Sequence, residues 1–460
     1  MNEVAARSRY HSAMLSEPIL PTLLSAALPT TVSIGIPILA TLGEFYFLSF
    51  LGTDTVAAVS LVFPIVTTVH IISSADIGGA ISGAIARTLG ANARERANAF
   101  LLHSVVLAIA FGMICAFLQG LFGPNLYEAL GASGPVLQLA IEYSNWMFFG
   151  SVFIWMANQF AAALRGGGDI AKAAQIMIVS RIVTFPLYPL LIYGWGPVPA
   201  LGVRGAALVD LTCCALSCVG FIIYLRRFAP VLHLSLDLNS LRISIFWEIL
   251  YVGGILATRT MQSAATMVIL AYSAGILGPN VLAGYGIASR LDAVLITLTF
   301  GFGTSILIMT ATNIGAGQNR RAYLAAAIGV IFIAGFTEAV GLTVAAFPKL
   351  WMSMFSADPI VVQQGSLYLQ IVGPCYGLFG AGATIYFVAQ ATKCLRWNFL
   401  AAVSRLLVVA AGCAIASQYG ADILPISITV AVSYFIFALV NALTFFPGIG
   451  WSVANSETLR

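Results

Sequence analysis

Charge is kept out of long stretches of this chain, and that fact limits its fold more than any other. Twelve apolar runs follow one another along 460 residues, at approximately 19–50, 54–86, 97–122, 135–163, 171–193, 200–227, 244–276, 279–313, 321–347, 360–391, 396–418 and 422–447. About 20 apolar residues in a helix cross the roughly 30 Å of bilayer hydrocarbon. Each run must satisfy its own backbone hydrogen bonds in lipid, which a helix does and an isolated strand does not. A membrane barrel would show strands of about 10 residues alternating polar and apolar, and the runs do not alternate. Charged residues make up 8% of the chain against 60% hydrophobic, whereas a soluble domain carries roughly 25% charge. The first run far exceeds the 7–15 residue core of a signal peptide, so it reads as a span.

Lysine and arginine set the orientation. With the N-terminus inside, 15 of the 21 fall in cytoplasmic segments, two outside (Arg204 and Lys349) and four within spans. Basic residues accumulate on the cytoplasmic side, so both termini are expected there, in a plasma membrane of the bacterial inner-membrane kind. The same rule accounts for the formal net charge of +4 without an acidic or nucleic-acid partner. The seven cysteines form no CxxC pair and the four histidines are scattered, so no metal site is expected.

The runs repeat. Leu51-Gly52 followed by Ala57 recurs as Leu277-Gly278 followed by Ala283, a shift of 226. Gly90-Ala91 with Arg96-Ala97 recurs as Gly315-Ala316 with Arg321-Ala322, a shift of 225. Pro135 recurs as Pro359, and Lys172 with Ser180-Arg181 recurs as Arg396 with Ser404-Arg405, both at 224. Four matches in order at a nearly constant shift indicate a duplication. The expected fold is therefore all-α, with twelve transmembrane helices in two pseudo-symmetric six-helix bundles. A tail at 1–18 precedes a bundle at 19–227; a polar linker at 228–243, with His233 and Asp237, leads to a second bundle at 244–447 and a tail at 448–460. Six spans per half bring both halves in from one side of the membrane, as parallel repeats.

The residues carrying the repeats also carry a resemblance. Pro29, Leu51-Gly52 to Ala57-Ala58, Ala86-Arg87 to Gly90-Ala91, Ala163-Leu164-Arg165 to Gly168-Asp169, and Leu201-Gly202-Val203 with Gly205-Ala206-Ala207 stand in the order and spacing of one family. The chain resembles the multidrug and toxic compound extrusion (MATE) family over essentially its full length. The resemblance implies efflux of amphipathic organic compounds by alternating access, driven by inward movement of protons or sodium.

Ionisable groups inside hydrocarbon are costly and so point to function. The acids within spans are Glu44, Asp76, Asp210, Asp292 and Glu338, with Glu142 and Glu248 nearer the edges. Glu44 matches the position where proton-coupled relatives carry an acid, which makes it the first ion-coupling candidate. Asp210 is the second. It lies about 15 Å into its span at 1.5 Å per residue, at a depth similar to Arg181, so a structural Arg181–Asp210 pair is the favoured role, with binding of a proton or cation when released from Arg181 as the other. The family often carries Asn and Asp in span five, four residues apart; Thr184 and Tyr188 stand there, and with Arg181 they are candidates for a coupling network. In span seven the sodium-linked acid of the family maps near Ser263, beside Arg259 and Gln262, and span ten has no acid. Protons are thus expected over sodium.

Arg259 and Asp292 reach comparable depth and are expected to pair, because Arg290 lies two residues from Asp292 on the same helix and faces elsewhere. Arg259, Gln262, Arg290 and Asp292 are the candidates for lining a substrate cavity, and arginines there favour anionic or zwitterionic cargo. His70 reads as a packing histidine, and Arg405 as an arginine reaching for the cytoplasmic interface.

These observations predict an antiporter, monomeric, without cofactor, whose partners are a small organic substrate and the bilayer. A flippase for a lipid-linked oligosaccharide or other polar lipid is the alternative, kept open by Arg181, Arg259 and Arg290. An embedded enzyme would need clustered acids and histidines such as HExxH, which the chain lacks, and no ATP-binding motif is present.

Overall fold

A computed structural model describes residues 13–451 except 131, 195, 197, 198, 230, 234–239, 357, 417–421 and 447–450, with several side chains of 33–42 and those of 53, 279 and 293 also outside the description. Arg7, Arg9, Asp237 and Arg460 lie outside the described residues. The elements are helices: α1 (Ile19–Ser49), α2 (Asp54–Gly90), α3 (Arg94–Ala129), α4 (Gly134–Phe149 with Ser151–Gly166), α5 (Ile170–Thr184 with Leu187–Tyr193) and α6 (Val203–Arg227) in the first half. The second half holds α7 (Ile243–Leu277), α8 (Asn280–Gly315), α9 (Asn319–Ala346), α10 (Pro359–Thr392), α11 (Arg396–Ala416) and α12 (Leu424–Phe445). Among the described residues nine are long and apolar enough to cross a membrane, and two bent pairs, α4 and α5, make eleven. With 31 residues, α1 is long enough to be the twelfth.

The breaks have local causes. The two parts of α4 meet at 47° around Gly150, where a Cβ would collide with the side chain of Leu211. The two parts of α5 meet at 41° around Pro186, which has no N–H to continue the ladder. Residues Ile72–Ile77 inside α2 are wound as a π-helix, a widening often found at functional sites and one without a sequence signature here. A 3-10 turn at Gly373–Cys375 interrupts α10, and the carboxylate of Glu338 accepts the backbone N–H of Gly377 at 2.7 Å just beyond it.

The duplication is visible in the backbone. Gly52 and Gly278, 226 apart, both take a left-handed φ, +112° and +129°, at the turns leading into α2 and α8, where a side chain would be strained. Asn92 and Gly317, 225 apart, do the same at +59° and +73°, closing α2 and α8.

The described chain divides into two compact units that differ from the sequence halves at two points. One unit holds 32–253; the other holds 13–31 and 254–451. The leading segment of α1 therefore belongs with the second half, and that of α7 with the first. Hydrogen bonding fixes both. Asn313 donates to the carbonyl of Met14 at 3.1 Å, and Arg321 donates to the carbonyls of Met14 and Glu17. On the other side, Arg96 pairs with Glu248 at 3.2 Å, and His103 meets the backbone of Arg242. Arg96 and Arg321 are repeat partners, so equivalent arginines hold equivalent segments.

Apolar side chains fill each unit and also cover it. In the first, Phe100, Trp155, Phe160 and Phe221 pack with Ile245 and Ile249 of α7, and a second cluster joins Leu48, Val62, Tyr143, Tyr188 and Ile192. In the other, Tyr285, Tyr368, Leu369, Tyr376 and Tyr434 share a core. Exposed Phe117, Leu121 and Phe122 on α3 present the outward apolar surface that lipid requires.

Candidate functional site

Polar groups gather inside each unit, and the first holds most of the residues singled out by sequence. α1 carries Glu44, which is 4% exposed. Tyr143 of α4 donates its hydroxyl to the Glu44 carboxyl at 2.8 Å. Arg181, in the first part of α5, forms an ion pair with Asp210 of α6. The bend at Pro186 brings Tyr188 back toward the same carboxylate, and its hydroxyl donates to Asp210 Oδ1 at 2.9 Å while accepting from Arg181 at 3.2 Å. Arg181, Tyr188 and Asp210 thus close on one another, and both charged partners are 16% exposed.

The two acids differ in what holds them. Asp210 is locked by a guanidinium and a phenol, so its negative charge is compensated where it lies. Glu44 has one neutral hydrogen-bond donor and no ion pair among the described residues. A hydroxyl can donate to a carboxylate and can accept from a carboxylic acid, so Tyr143 suits both protonation states of Glu44. Thr184 stands apart from this network: its hydroxyl bonds the carbonyl of Ser180, one turn back, at 2.9 Å. His70 is exposed rather than packed, which corrects the expectation of a packing residue.

In the second unit the expected Arg259–Asp292 pair does not form. Asp292 accepts instead from the hydroxyl of Tyr434 at 3.2 Å, and the ring of that tyrosine carries the Arg405 guanidinium. Arg259 lies 4.3 Å above the ring of Tyr386, a cation–π contact that turns it from Asp292. Arg405 does not reach for an interface either; it packs over Phe379, Tyr434 and Phe437, with its nearest ring centroid, that of Tyr434, at 5.0 Å. Arg290 is exposed and lies over Phe355 at 5.6 Å. Gln262 keeps a buried side-chain oxygen without a hydrogen-bond partner. Glu142 pairs with Arg204, which accounts for one of the edge acids.

The two networks correspond through the repeat. Adding 224 to Arg181 gives Arg405, and adding 224 to Asp210 gives Tyr434. Where the first unit pairs arginine with aspartate, the second stacks arginine on tyrosine, and its acid, Asp292, stands on α8, the repeat counterpart of α2. Tyr143 and Tyr434 are the residues that reading for charge passes over. The repeat register points to Tyr434; nothing local marks Tyr143, 99 residues from the acid it serves.

The arrangement meets its relatives at this point. The family model MatE matches residues 36–190 and 255–415, one match in each half. The FAD transporter of Shewanella oneidensis is 29% identical over 80% of this chain and 81% of its own. The multidrug export protein MepA of Staphylococcus aureus is 24% identical over 96% of this chain and 92% of its own. A MATE crystal structure in the bent conformation superposes with a TM-score of 0.85 at 23% identity, covering 95% of this chain and 96% of that one. A transporter of the MOP superfamily from Pyrococcus furiosus, described by a binding pocket of reversed polarity, superposes at 0.83 with 23% identity over 94% and 96%. With twelve helices in two repeated halves and a family match across both, the chain belongs to the MatE family and is a multi-pass membrane protein, a secondary transporter of the multidrug and toxic compound extrusion type.

Proposed function

We propose that this protein exports amphipathic organic compounds by alternating access, coupled to inward proton movement, with Glu44 as the coupling carboxyl and the Arg181–Tyr188–Asp210 cluster as the fixed charge beside it. The observation that carries the reading is the contrast between the two acids. Asp210 is compensated by Arg181, whereas Glu44 is buried with, among the described residues, the Tyr143 hydroxyl on it and no ion pair. A carboxyl without a bound cation can take up a proton on one side of the membrane and release it on the other. The protein acts as a monomer in a bacterial inner membrane, with both termini in the cytoplasm and no cofactor.

Dye efflux from inverted vesicles, energised separately with a pH gradient and a sodium gradient, tests this. The pH gradient drives transport in the wild type, and Glu44→Gln abolishes that response while the protein still folds. Transport by neither gradient overturns the antiport reading; unchanged pH-driven transport by Glu44→Gln overturns the assignment of Glu44.

One observation favours a cargo other than cations. Arg259 lies over Tyr386 beside Phe300 and Phe387, whose rings meet edge to face at 5.3 Å. A guanidinium among aromatic rings suits a flat aromatic compound bearing negative charge, and one relative is named a FAD transporter. Parallel efflux measurements with FAD and with a cationic dye decide between them, and Arg259→Ala weakens the anion selectively.

A further inference from the structure

One polar site on the first unit takes no part in the clusters described above. Glu142, in the first part of α4, forms an ion pair with Arg204 at the start of α6. Their side chains are 30% and 53% exposed. Gly205, next to Arg204, lies too close to the backbone of Leu191 for a Cβ, which fixes where α6 begins. The pair borders an open cavity of about 330 Å³, lined also by Gln138, Ile141, Asn145 and Trp146 of α4. The side-chain oxygen of Asn145 accepts from Gln119 at 3.4 Å, which leaves its NH2 group as a donor for the cavity. An exposed ion pair adds little to stability, and the repeat shows the fold built without it. At the shift of 224 the partners of Glu142 and Arg204 are Ser366 and Ile428, neither of them charged.

Charge and surroundings narrow what the cavity receives. One carboxylate and one guanidinium make a site of zero net charge, which suits a ligand carrying both signs on neighbouring groups. The planar fork of an arginine matches a phosphate, and a carboxylate accepts N–H from a primary ammonium. The adjoining surface is apolar. Trp146 and Phe149 follow Glu142 by four and seven residues, the spacing of one helix face, and both are exposed. On α6, which packs beside α4, Leu216 and Val219 are exposed further along. Acyl chains fill such a surface, whereas a water-soluble zwitterion gains nothing from it. Tryptophan is favoured at the level of lipid headgroups, where Trp146 would then stand.

We propose that this cavity binds the headgroup of a zwitterionic phospholipid with a primary ammonium, its phosphate on Arg204, its ammonium on Glu142 and its acyl chains along the exposed faces of α4 and α6. Binding opens the Glu142–Arg204 contact and gives each group a new opposite charge, so neither is left uncompensated. The low worth of an exposed pair makes that exchange easy. A quaternary ammonium has no N–H to give Glu142, and a purely anionic headgroup meets the carboxylate with no cation between them. The site therefore ranks ethanolamine above choline and glycerol headgroups. A lipid held this way bridges α4 ahead of its bend at Gly150 to the first turn of α6, whose Leu211 packs at that bend. The inference concerns neither the coupling ion nor the cargo, so it goes beyond the function proposed above.

Native mass spectrometry of the full-length protein counts the lipids that stay bound when it leaves a bilayer for detergent. The bilayer holds equal parts of phosphatidylethanolamine, phosphatidylcholine and phosphatidylglycerol with matched acyl chains. The wild type retains the ethanolamine lipid over the other two by about tenfold, the size of one charge-assisted hydrogen bond. Glu142→Gln abolishes that preference and raises retention of the glycerol lipid, while Arg204→Gln weakens retention of all three by about tenfold. A lost ion pair with no lipid site would change stability without reordering the lipids. Equal retention of the three by the wild type overturns the proposal, as does an unchanged preference in Glu142→Gln. Should that variant fail to fold, Arg204→Gln decides, and unchanged retention in it counts against the site. Release of the bound lipid by soluble phosphoethanolamine, as readily as by the lipid itself, would also overturn it. The measurement uses no gradient and no cargo, so its failure leaves the antiport reading standing, and failed pH-driven efflux leaves the lipid site standing.

Discussion

Removing the guanidinium of Arg181 tests whether its pair with Asp210 is the fixed charge of the first unit. In Arg181→Met the side chain keeps most of its apolar stem but loses the guanidinium, leaving the Asp210 carboxylate, 16% exposed beside Arg181, with Tyr188 as its remaining donor at 2.9 Å. Breaking a buried pair from one side costs about 3–5 kcal/mol, because the partner is left charged without compensation. The surviving bond from Tyr188 and the partial exposure place this case at the lower end, about 3 kcal/mol. At 1.4 kcal/mol per factor of ten that is more than a hundredfold in the ratio of folded to unfolded protein. Asp210→Asn, which strands Arg181 instead, has a cost of similar size. The double substitution removes both charges and keeps an acceptor for Tyr188, so it loses about 1 kcal/mol or less. Unfolding in mixed micelles titrated with SDS gives all three values and a coupling energy of about 3 kcal/mol or more. Single substitutions that each cost under about 1 kcal/mol, or that simply add in the double, would refute the assignment of a buried, compensated pair.

Two further outcomes follow from hydrogen bonds outside that cluster. Glu338→Leu leaves the backbone N–H of Gly377 without its 2.7 Å acceptor and destabilises the protein by about 1–3 kcal/mol, measured by the same micelle titration, whereas Glu338→Gln retains an acceptor and stays near wild type; equal loss in both would mean that the charge matters. Asn313→Ala removes the donor to Met14, and amide exchange in residues 13–18 accelerates roughly fivefold, as for about 1 kcal/mol of lost local protection; unchanged exchange there would show that Arg321 holds the segment alone.

The residues legible from sequence are those whose chemistry conflicts with lipid. Twelve apolar runs and the basic bias report the helices because hydrocarbon tolerates few alternatives. Glu44, Arg181, Asp210 and Asp292 stand out because charge in such runs is costly. Depth along a helix sufficed for Arg181 and Asp210, which face each other on neighbouring helices, but failed for Arg259 and Asp292. Equal depth does not fix the direction of a side chain around its helix, and Tyr386 and Tyr434 turn those two apart. Tyrosine itself is nearly silent in a sequence. The chain has 16 tyrosines, and tyrosine packs as readily as it donates, so Tyr143 and Tyr434 as donors to Glu44 and Asp292 appear only when the helices are assembled. The π-helical turn at Ile72–Ile77 likewise depends on packing between helices rather than on local propensity.

The exchange of leading segments between the units has a consequence for what a half of this chain can do by itself. Severed at the linker, the first half carries residues 13–31 with nothing of the second half for Met14 and Glu17 to bond. It also exposes Ile77, Phe100 and His103, where the head of α7 would have packed. The second half is left with Asn313 and Arg321 lacking their Met14 and Glu17 acceptors and its own first turns unsupported. A half-length chain of this design recovers those contacts by domain swapping, each copy lending its first helix to the other. Joining the two copies into one polypeptide turns that association from a concentration-dependent encounter into an intramolecular one. Co-expressed halves are accordingly expected to rescue each other, while either half alone is left to degradation.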